Sequence, residues 1–242
     1  MYSFRRLAII LALSLPAVHV LQAQSSSSNP ATPDQAQQPA AQTQGQISVQ
    51  ARIKARREQR RAAAIHDTYS RLYEMYAGTG YLRFIPGPDK QRVTQYAWNA
   101  GITRYYDQRL GVTVDGRGYY GTPYVGLNPY GLTRPAISVY SVLGGPSYRF
   151  YMQPKYSISG RVLGGYAQGN FSGDTGGLGG TTLGLYKDGY TFAASGAVIG
   201  EYNLTPRVGV RLAPEYFITG FGSTTQASRG FTAGLSVRFG KQ

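Results

Sequence analysis

The sequence predicts an all-β fold: an eight-stranded antiparallel up-and-down β-barrel that spans a membrane, preceded by a basic periplasmic helix and a disordered linker. Three observations predict it. First, the segment Phe231-Thr-Ala-Gly-Leu-Ser-Val-Arg-Phe239 alternates without a break. Phe231, Ala233, Leu235, Val237 and Phe239 share one face; Thr232, Gly234, Ser236 and Arg238 share the other. A period of two is a strand with two unlike faces, and an apolar face aromatic at both ends and aliphatic between suits a bilayer with its two interfaces. Second, the alternation recurs from Tyr73 onward, which supplies the partners a strand in lipid requires, since an open edge cannot sit there. Third, the chain has 32 glycines, 21 tyrosines and no cysteine. An exported protein of that composition is held by a hydrogen-bond ladder rather than by disulfides.

Residues 1–23 read as a signal peptide. Arg5 and Arg6 precede an apolar run, Leu7 to Val18, and Leu21-Gln22-Ala23 leads into the polar Gln24. The run is shorter than the roughly 20 residues of a membrane-spanning helix, and no cysteine follows it to take a lipid anchor. The formal charge of the whole chain is +14. In an exported protein that excess points to anionic lipid or lipopolysaccharide as neighbours, not nucleic acid.

Residues 24–46 are rich in Ser, Gln, Ala and Pro and read as a disordered linker. Residues 47–70 read as a basic helix with Arg52, Lys54, Arg56, Arg57, Arg60 and Arg61. Its apolar stripe is thin, Val49 and Ile53, so it is solvated. One reading is an arm that touches an anionic periplasmic partner, lipid or cell-wall polymer; the other is a charged spacer.

The barrel is expected over 73–240. Strand one runs from Tyr73 to Phe84 and stops at Pro86-Gly87-Pro88. Strand two, Val93 to Tyr105, turns Tyr96, Trp98, Ala100 and Ile102 outward. Strand three, Leu110 to Tyr120, has Val112 and Val114 out and Asp115 and Arg117 in. Strand four, Ile137 to Phe150, is expected to turn Ile137, Val139 and Leu143 out and Ser138 and Tyr140 in. Strand five, Tyr156 to Gln168, has Val162 and Tyr166 out and Arg161 in. Strand six, Gly189 to Tyr202, has Phe192 and Val198 out and Glu201 in. In strand seven, Arg207 to Thr219, Arg211 and Glu215 face in, and Pro214 predicts a bulge or local irregularity because it lacks a ladder donor. A loop from Gly220 to Ser228 precedes the last strand. Short turns near Asp107, Met152 and Leu204 alternate with longer Gly-rich loops, as short periplasmic turns alternate with external loops in outer-membrane barrels.

Two residue sets follow. The luminal polar network comprises Asp115, Arg117, Arg161, Glu201, Arg211 and Glu215, with Arg238 a further candidate. Charges inside a small barrel must pair, and Glu201 and Arg211 flank one turn as a cross-strand pair. The lipid-facing aromatic rims comprise Tyr76, Trp98, Tyr156, Tyr166, Phe192, Tyr202, Phe231 and Phe239. Aromatics expected in external loops are Tyr119, Tyr124, Tyr130, Phe171 and Tyr186.

No catalytic residue, metal or cofactor is expected. The sequence has two histidines, His19 in the leader and His66 before the barrel, so neither a Ser–His–acid site nor a zinc site has its parts. Gly116-Arg-Gly-Tyr-Tyr-Gly121 matches a nucleotide-loop spacing, but Thr122-Pro123 follows where a helix is needed.

Three segments in order carry a resemblance: Tyr81-Leu-Arg-Phe84 before Pro-Gly, Trp98-Asn-Ala100, and Leu110-Gly-Val-Thr-Val-Asp115 leading into Gly118-Tyr-Tyr-Gly121. With Arg211, Glu215-Tyr216 and the Phe-ended last strand, the set resembles small outer-membrane barrels related to the N-terminal barrel domain of outer membrane protein A. The resemblance spans roughly residues 73–240. It implies eight antiparallel strands, insertion by the barrel assembly machinery, and a structural role. Two departures accompany it: no peptidoglycan-binding domain follows the barrel, and Gly240-Lys-Gln follows the terminal Phe239.

The expectation is thus a non-enzymatic, monomeric barrel that stabilises the envelope, with a polar, side-chain-filled lumen. A narrow ion or small-solute channel gated by luminal charges is the alternative, and a surface adhesin using the external loops is a second.

Overall fold

The computed structural model describes residues 40–222 and 225–240, with side chains from Ser48 onward. The expected signal peptide, 1–23, and linker residues 24–39 lie outside the described residues. The chain divides into two units, Met1–Gln46 and Ile47–Gln242. Helix α1 spans Ala40–Tyr69, so it begins within the stretch read as linker, where Ala and Gln outnumber helix breakers.

Eight strands follow: β1 Tyr73–Phe84, β2 Val93–Tyr105, β3 Leu110–Gly121, β4 Ala136–Met152, β5 Tyr156–Gly173, β6 Gly189–Asn203, β7 Val208–Thr219 and β8 Gln226–Phe239. They close into one barrel in chain order, every pair antiparallel, with β8 returning to β1. Closure leaves no edge strand. One end carries tight turns, the other the longer loops. At the β2–β3 turn, Asp107 Oδ1 accepts the backbone N–H groups of Leu110 at 2.7 Å and Arg109 at 2.5 Å, the side-chain-to-backbone device that lets Asp start a turn.

Two expectations about the strands are corrected, at β8 and at β4. β8 begins at Gln226, so residues 226–228, read as loop, are strand. At Pro214 the local irregularity is found without a bulge: the β6–β7 ladder lacks pairs at Ala213 and Pro214 and resumes in the same register, Gly200 opposite Leu212. β4 has the opposite facing. Ile137, Val139 and Leu143 are buried inside, while Tyr140 faces out.

The outer face is apolar between two aromatic belts. Phe150, Tyr151, Tyr156, Tyr202 and Phe239 ring the turn end; Tyr96, Tyr120, Tyr140, Tyr166 and Phe192 ring the loop end. Val112, Val114, Val142, Ile158, Val162, Val198, Leu212 and Leu235 lie between them. Tyr156 and Tyr166 are ten residues apart on β5. At about 3.3 Å per residue and a tilt near 40°, the belts stand about 25 Å apart. Among the described residues, the charged side chains on the outer face of the strands are Arg83, Arg104 and Arg229, all near strand ends.

The interior has two storeys. Toward the loops it is apolar: Phe84, Phe171 and Phe221 pack ring on ring, with centroids 5.1–6.3 Å apart. Tyr186, Leu183 and Leu185 enter this cluster from the β5–β6 loop, and Leu82, Leu143, Leu163 and Phe217 from the strands. Burial raises the Tyr186 phenol above its ordinary range. The expectation of a wholly polar lumen is therefore corrected, and Tyr119, Phe171 and Tyr186, expected on exposed loops, are buried. Toward the turns the interior is charged.

Candidate luminal site and the mouths of the barrel

The charged storey has two tiers. In the upper one, Arg117 from β3 reaches across the lumen. Its Nη1 donates to Glu215 Oε2 at 2.8 Å and to Ser195 Oγ at 3.2 Å, and its Nε donates to Asp115. Arg161 from β5 donates through Nη1 to Tyr76 OH at 2.6 Å and to Asp115 Oδ2 at 3.1 Å. Tyr76 OH donates to Asp115 in turn. Side chains of β1, β3, β5, β6 and β7 thus meet at one level. Each sits on the inward phase of its strand.

The lower tier centres on Glu74. Its Oε2 accepts from Arg149 Nη2 at 2.6 Å and Arg238 Nε at 3.1 Å. Arg238 Nη2 lies 2.7 Å from Glu201 Oε2, and Ser236 also donates to Glu201. Arg149 lies over the Tyr105 ring at 3.5 Å, and Arg211 over the Tyr76 ring at 3.8 Å. Five buried arginines meet four carboxylates here. A buried charge is tolerated when it is paired and hydrogen-bonded, and the network supplies most of that pairing internally.

The turn-end mouth is corked by the end of α1. Tyr69 is 0% exposed. Its hydroxyl donates to the Gln153 carbonyl at 2.9 Å and accepts from Asn203 Nδ2 at 2.7 Å. The guanidinium groups of Arg149 and Arg238 each lie 5.1 Å from its ring centroid. About two helical turns before it, Arg61 donates to Gln153 Oε1.

Asp115, Arg117, Arg161, Glu201, Arg211 and Glu215 all stand inside the barrel. Asp115, Arg117, Arg161 and Glu215 meet in the upper tier. Glu201 and Arg211 are opposite in register but do not pair: Glu201 goes to Arg238, and Arg211 approaches Glu74 at 3.8 Å. Trp98, Tyr156, Tyr166, Phe192, Tyr202, Phe231 and Phe239 face out. Tyr76 is corrected from rim to lumen: it is 4% exposed, because β1 turns Met75 outward and its hydroxyl finds acceptors inside. Sequence reasoning missed Glu74, Arg149 and Tyr69. The first two carried a signal, since each is flanked by outward apolar residues, Met75 for Glu74, Tyr148 and Phe150 for Arg149.

The sequence places no histidine in the strands, and among the described residues no cluster of His, Cys, Asp and Glu suits a metal ion. The arrangement fills the turn half of the lumen with paired, buried side chains.

No protein-family model and no curated protein matches the chain. Similar solved structures include Ail, the attachment invasion locus protein of Yersinia pestis, in complex with the heparin analogue sucrose octasulfate, at 15% identity, covering 69% of this chain and 97% of that one, with a TM-score of 0.46. Neisserial surface protein A follows at 16%, 69% and 97%, and 0.47. The outer membrane protein OprG from Pseudomonas aeruginosa stands at 10%, 72% and 99%, and 0.46. Likenesses of this size carry nothing about function to this chain.

Proposed function

We propose that this chain is a non-enzymatic outer-membrane barrel, sealed to solutes, with a structural role in the envelope. The observation that carries the reading is the outer surface: an apolar band about 25 Å tall between two aromatic belts, the dimension of a membrane barrel's lipid-facing zone. The turn end then faces the periplasm and the loop end the outside. Lipids of that membrane are its immediate partners, insertion is the work of the barrel assembly machinery, and the barrel acts as a monomer.

The sealed interior favours this over a channel. A path would have to cross Tyr69, two salt-bridged tiers and a ring-packed apolar plug. The exposed basic helix, Arg52 to Arg61, carries positive charge on the periplasmic side, where an anionic polymer or inner-leaflet headgroups meet it. Conductance of the purified barrel in a planar bilayer tests the sealed lumen. Steady single-channel steps in the wild type would replace this reading with the channel one.

A second reading has one observation in its favour. In the β3–β4 loop Leu127 is 92% exposed, beside exposed Tyr124 and Tyr130. The loop is shaped by Asn128, whose Oδ1 accepts from Tyr130 N at 3.1 Å and Leu132 N at 3.3 Å. An apolar tip on an ordered loop suits a surface contact. Removing residues 124–131 and measuring attachment to cells tests it.

A further inference from the structure

On the outside of the barrel, Arg83 of β1 and Arg229 of β8 stand directly opposite each other across the closing seam. Both are exposed. Like charges directly opposed in a ladder repel, and among the described residues no carboxylate pairs with either one. Arg229 Nε donates to Tyr216 OH at 2.8 Å, which turns that side chain along the surface toward β7. Arg83 and Arg229 sit ten residues above Tyr73 and Phe239 on their strands. That is the level held by Tyr166 on β5, ten residues above Tyr156. On the two seam strands the aromatic pair, Tyr81 and Phe231, lies one pleat lower, with centroids 6.4 Å apart. The arginines therefore take the headgroup level of the outer leaflet, with rings directly beneath.

An apolar groove of about 690 Å³ leads away from Arg229 and Tyr216 down the outer wall. Its walls and floor are Pro146, Val162, Gly196, Val198 and Pro214, and Phe150 closes the lower end. A Cβ built at Gly196 would meet nothing within 4 Å, so the floor there is open.

We propose that this face binds one phosphate-bearing lipid of the outer leaflet, its phosphate bridging Arg83 and Arg229 and an acyl chain lying in the groove over Gly196. Arginine presents a fork of donors that matches phosphate oxygens, and a dianionic or monoanionic headgroup between the two removes their repulsion across the seam. A second copy of the chain is a poorer occupant, because a two-fold contact on this face brings more arginines together. The proposal rests on the membrane reading above.

The test uses the full mature chain inserted into phosphatidylcholine nanodiscs doped with lipid A, with lipid retained on the released protein counted by native mass spectrometry. Wild type keeps lipid A in preference to phosphatidylcholine. The double variant Arg83→Gln/Arg229→Gln keeps roughly tenfold less, the ratio expected for losing charge-assisted contacts to one headgroup. Arg83→Lys/Arg229→Lys restores part of it, and Gly196→Leu lowers retention with both arginines intact. Inorganic phosphate does not compete; if it displaced the lipid, the groove would have no part and the proposal would fail. Equal retention by the double variant, in discs where the boiling-dependent gel shift shows a folded barrel, would overturn the site and leave the membrane reading intact. Failure of wild type to enter discs at all would overturn both.

Discussion

Glu201 and Arg211 face each other across the β6–β7 ladder and are not partners. Glu201 is held by Arg238, 2.7 Å away, while the Arg211 guanidinium lies over the ring of Tyr76 at 3.8 Å. In a barrel this narrow, a side chain crosses the lumen as easily as it reaches its ladder neighbour. The pairing follows the lumen's geometry more than the sheet's.

A double-mutant cycle separates the two pairings. Glu201→Gln with Arg238→Met should show strong coupling, since breaking one buried pair costs about 3–5 kcal/mol. Glu201→Gln with Arg211→Met should couple more weakly, because the two are linked only through Glu74 and Arg238. Urea midpoints of the barrel in lipid read both. The reverse ranking would contradict the assignment.

Tyr69 should matter to the barrel although it belongs to the helix. Tyr69→Phe removes the donor to the Gln153 carbonyl and one of the two acceptors of Asn203 Nδ2, whose bond to the Pro154 carbonyl remains, at about 1 kcal/mol. Tyr69→Ala should cost more and expose α1 to protease near Arg61. Unchanged stability in both would mean that the cork contributes nothing.

The apolar storey should contribute strongly to stability. Phe171→Ala removes a ring that stacks on Phe84 and packs edge-on to Phe221 and Tyr186, at a cost of about 3–5 kcal/mol. Even so, the charged tiers remain below it, so this variant should still not conduct. Combining Phe171→Ala with removal of residues 47–69 leaves the strand-borne charged tiers in place, so the combined variant should stay closed as well, and conductance traces of both variants check it.

The strands were legible because outward apolar residues recur at every second position and turns interrupt them: β1 and β2 begin and end where the alternation does. The facing of β4 was not legible from its upper half. There Ile137, Val139 and Leu143 alternate with Tyr140 and Val142, so both faces are apolar. Only Arg149, set between Tyr148 and Phe150, breaks the tie, and it lies at the strand's far end. Tyr76 and Tyr119 were ambiguous for another reason. Tyrosine has an apolar body and a polar tip, and it serves a lipid interface or a luminal carboxylate equally well. The luminal charges were found because they alternate with outward apolar residues in the middle of their strands, whereas Arg83, Arg104 and Arg229 face out near strand ends; their partners depend on tilt and register, which one sequence does not encode locally.

Asp107 gives a pH dependence with a defined sign. Backbone N–H groups of Leu110 and Arg109 hold its carboxyl below the ordinary range. A depressed folded value means that the turn's stabilisation is complete above the unfolded value near 3.9 and is lost as pH falls through the folded value. The stability difference between wild type and Asp107→Ala should therefore be flat above about pH 5 and shrink at lower pH. A difference that grew on acidification would contradict the turn geometry.

The central claim is that the apolar face lies in a membrane around a closed barrel. Its most direct test compares boiled and unboiled protein from isolated outer membranes on a denaturing gel. The account predicts that the chain is found in that fraction and runs as a compact band that shifts on boiling. Recovery of the chain as a soluble periplasmic protein with no boiling-dependent shift would contradict it.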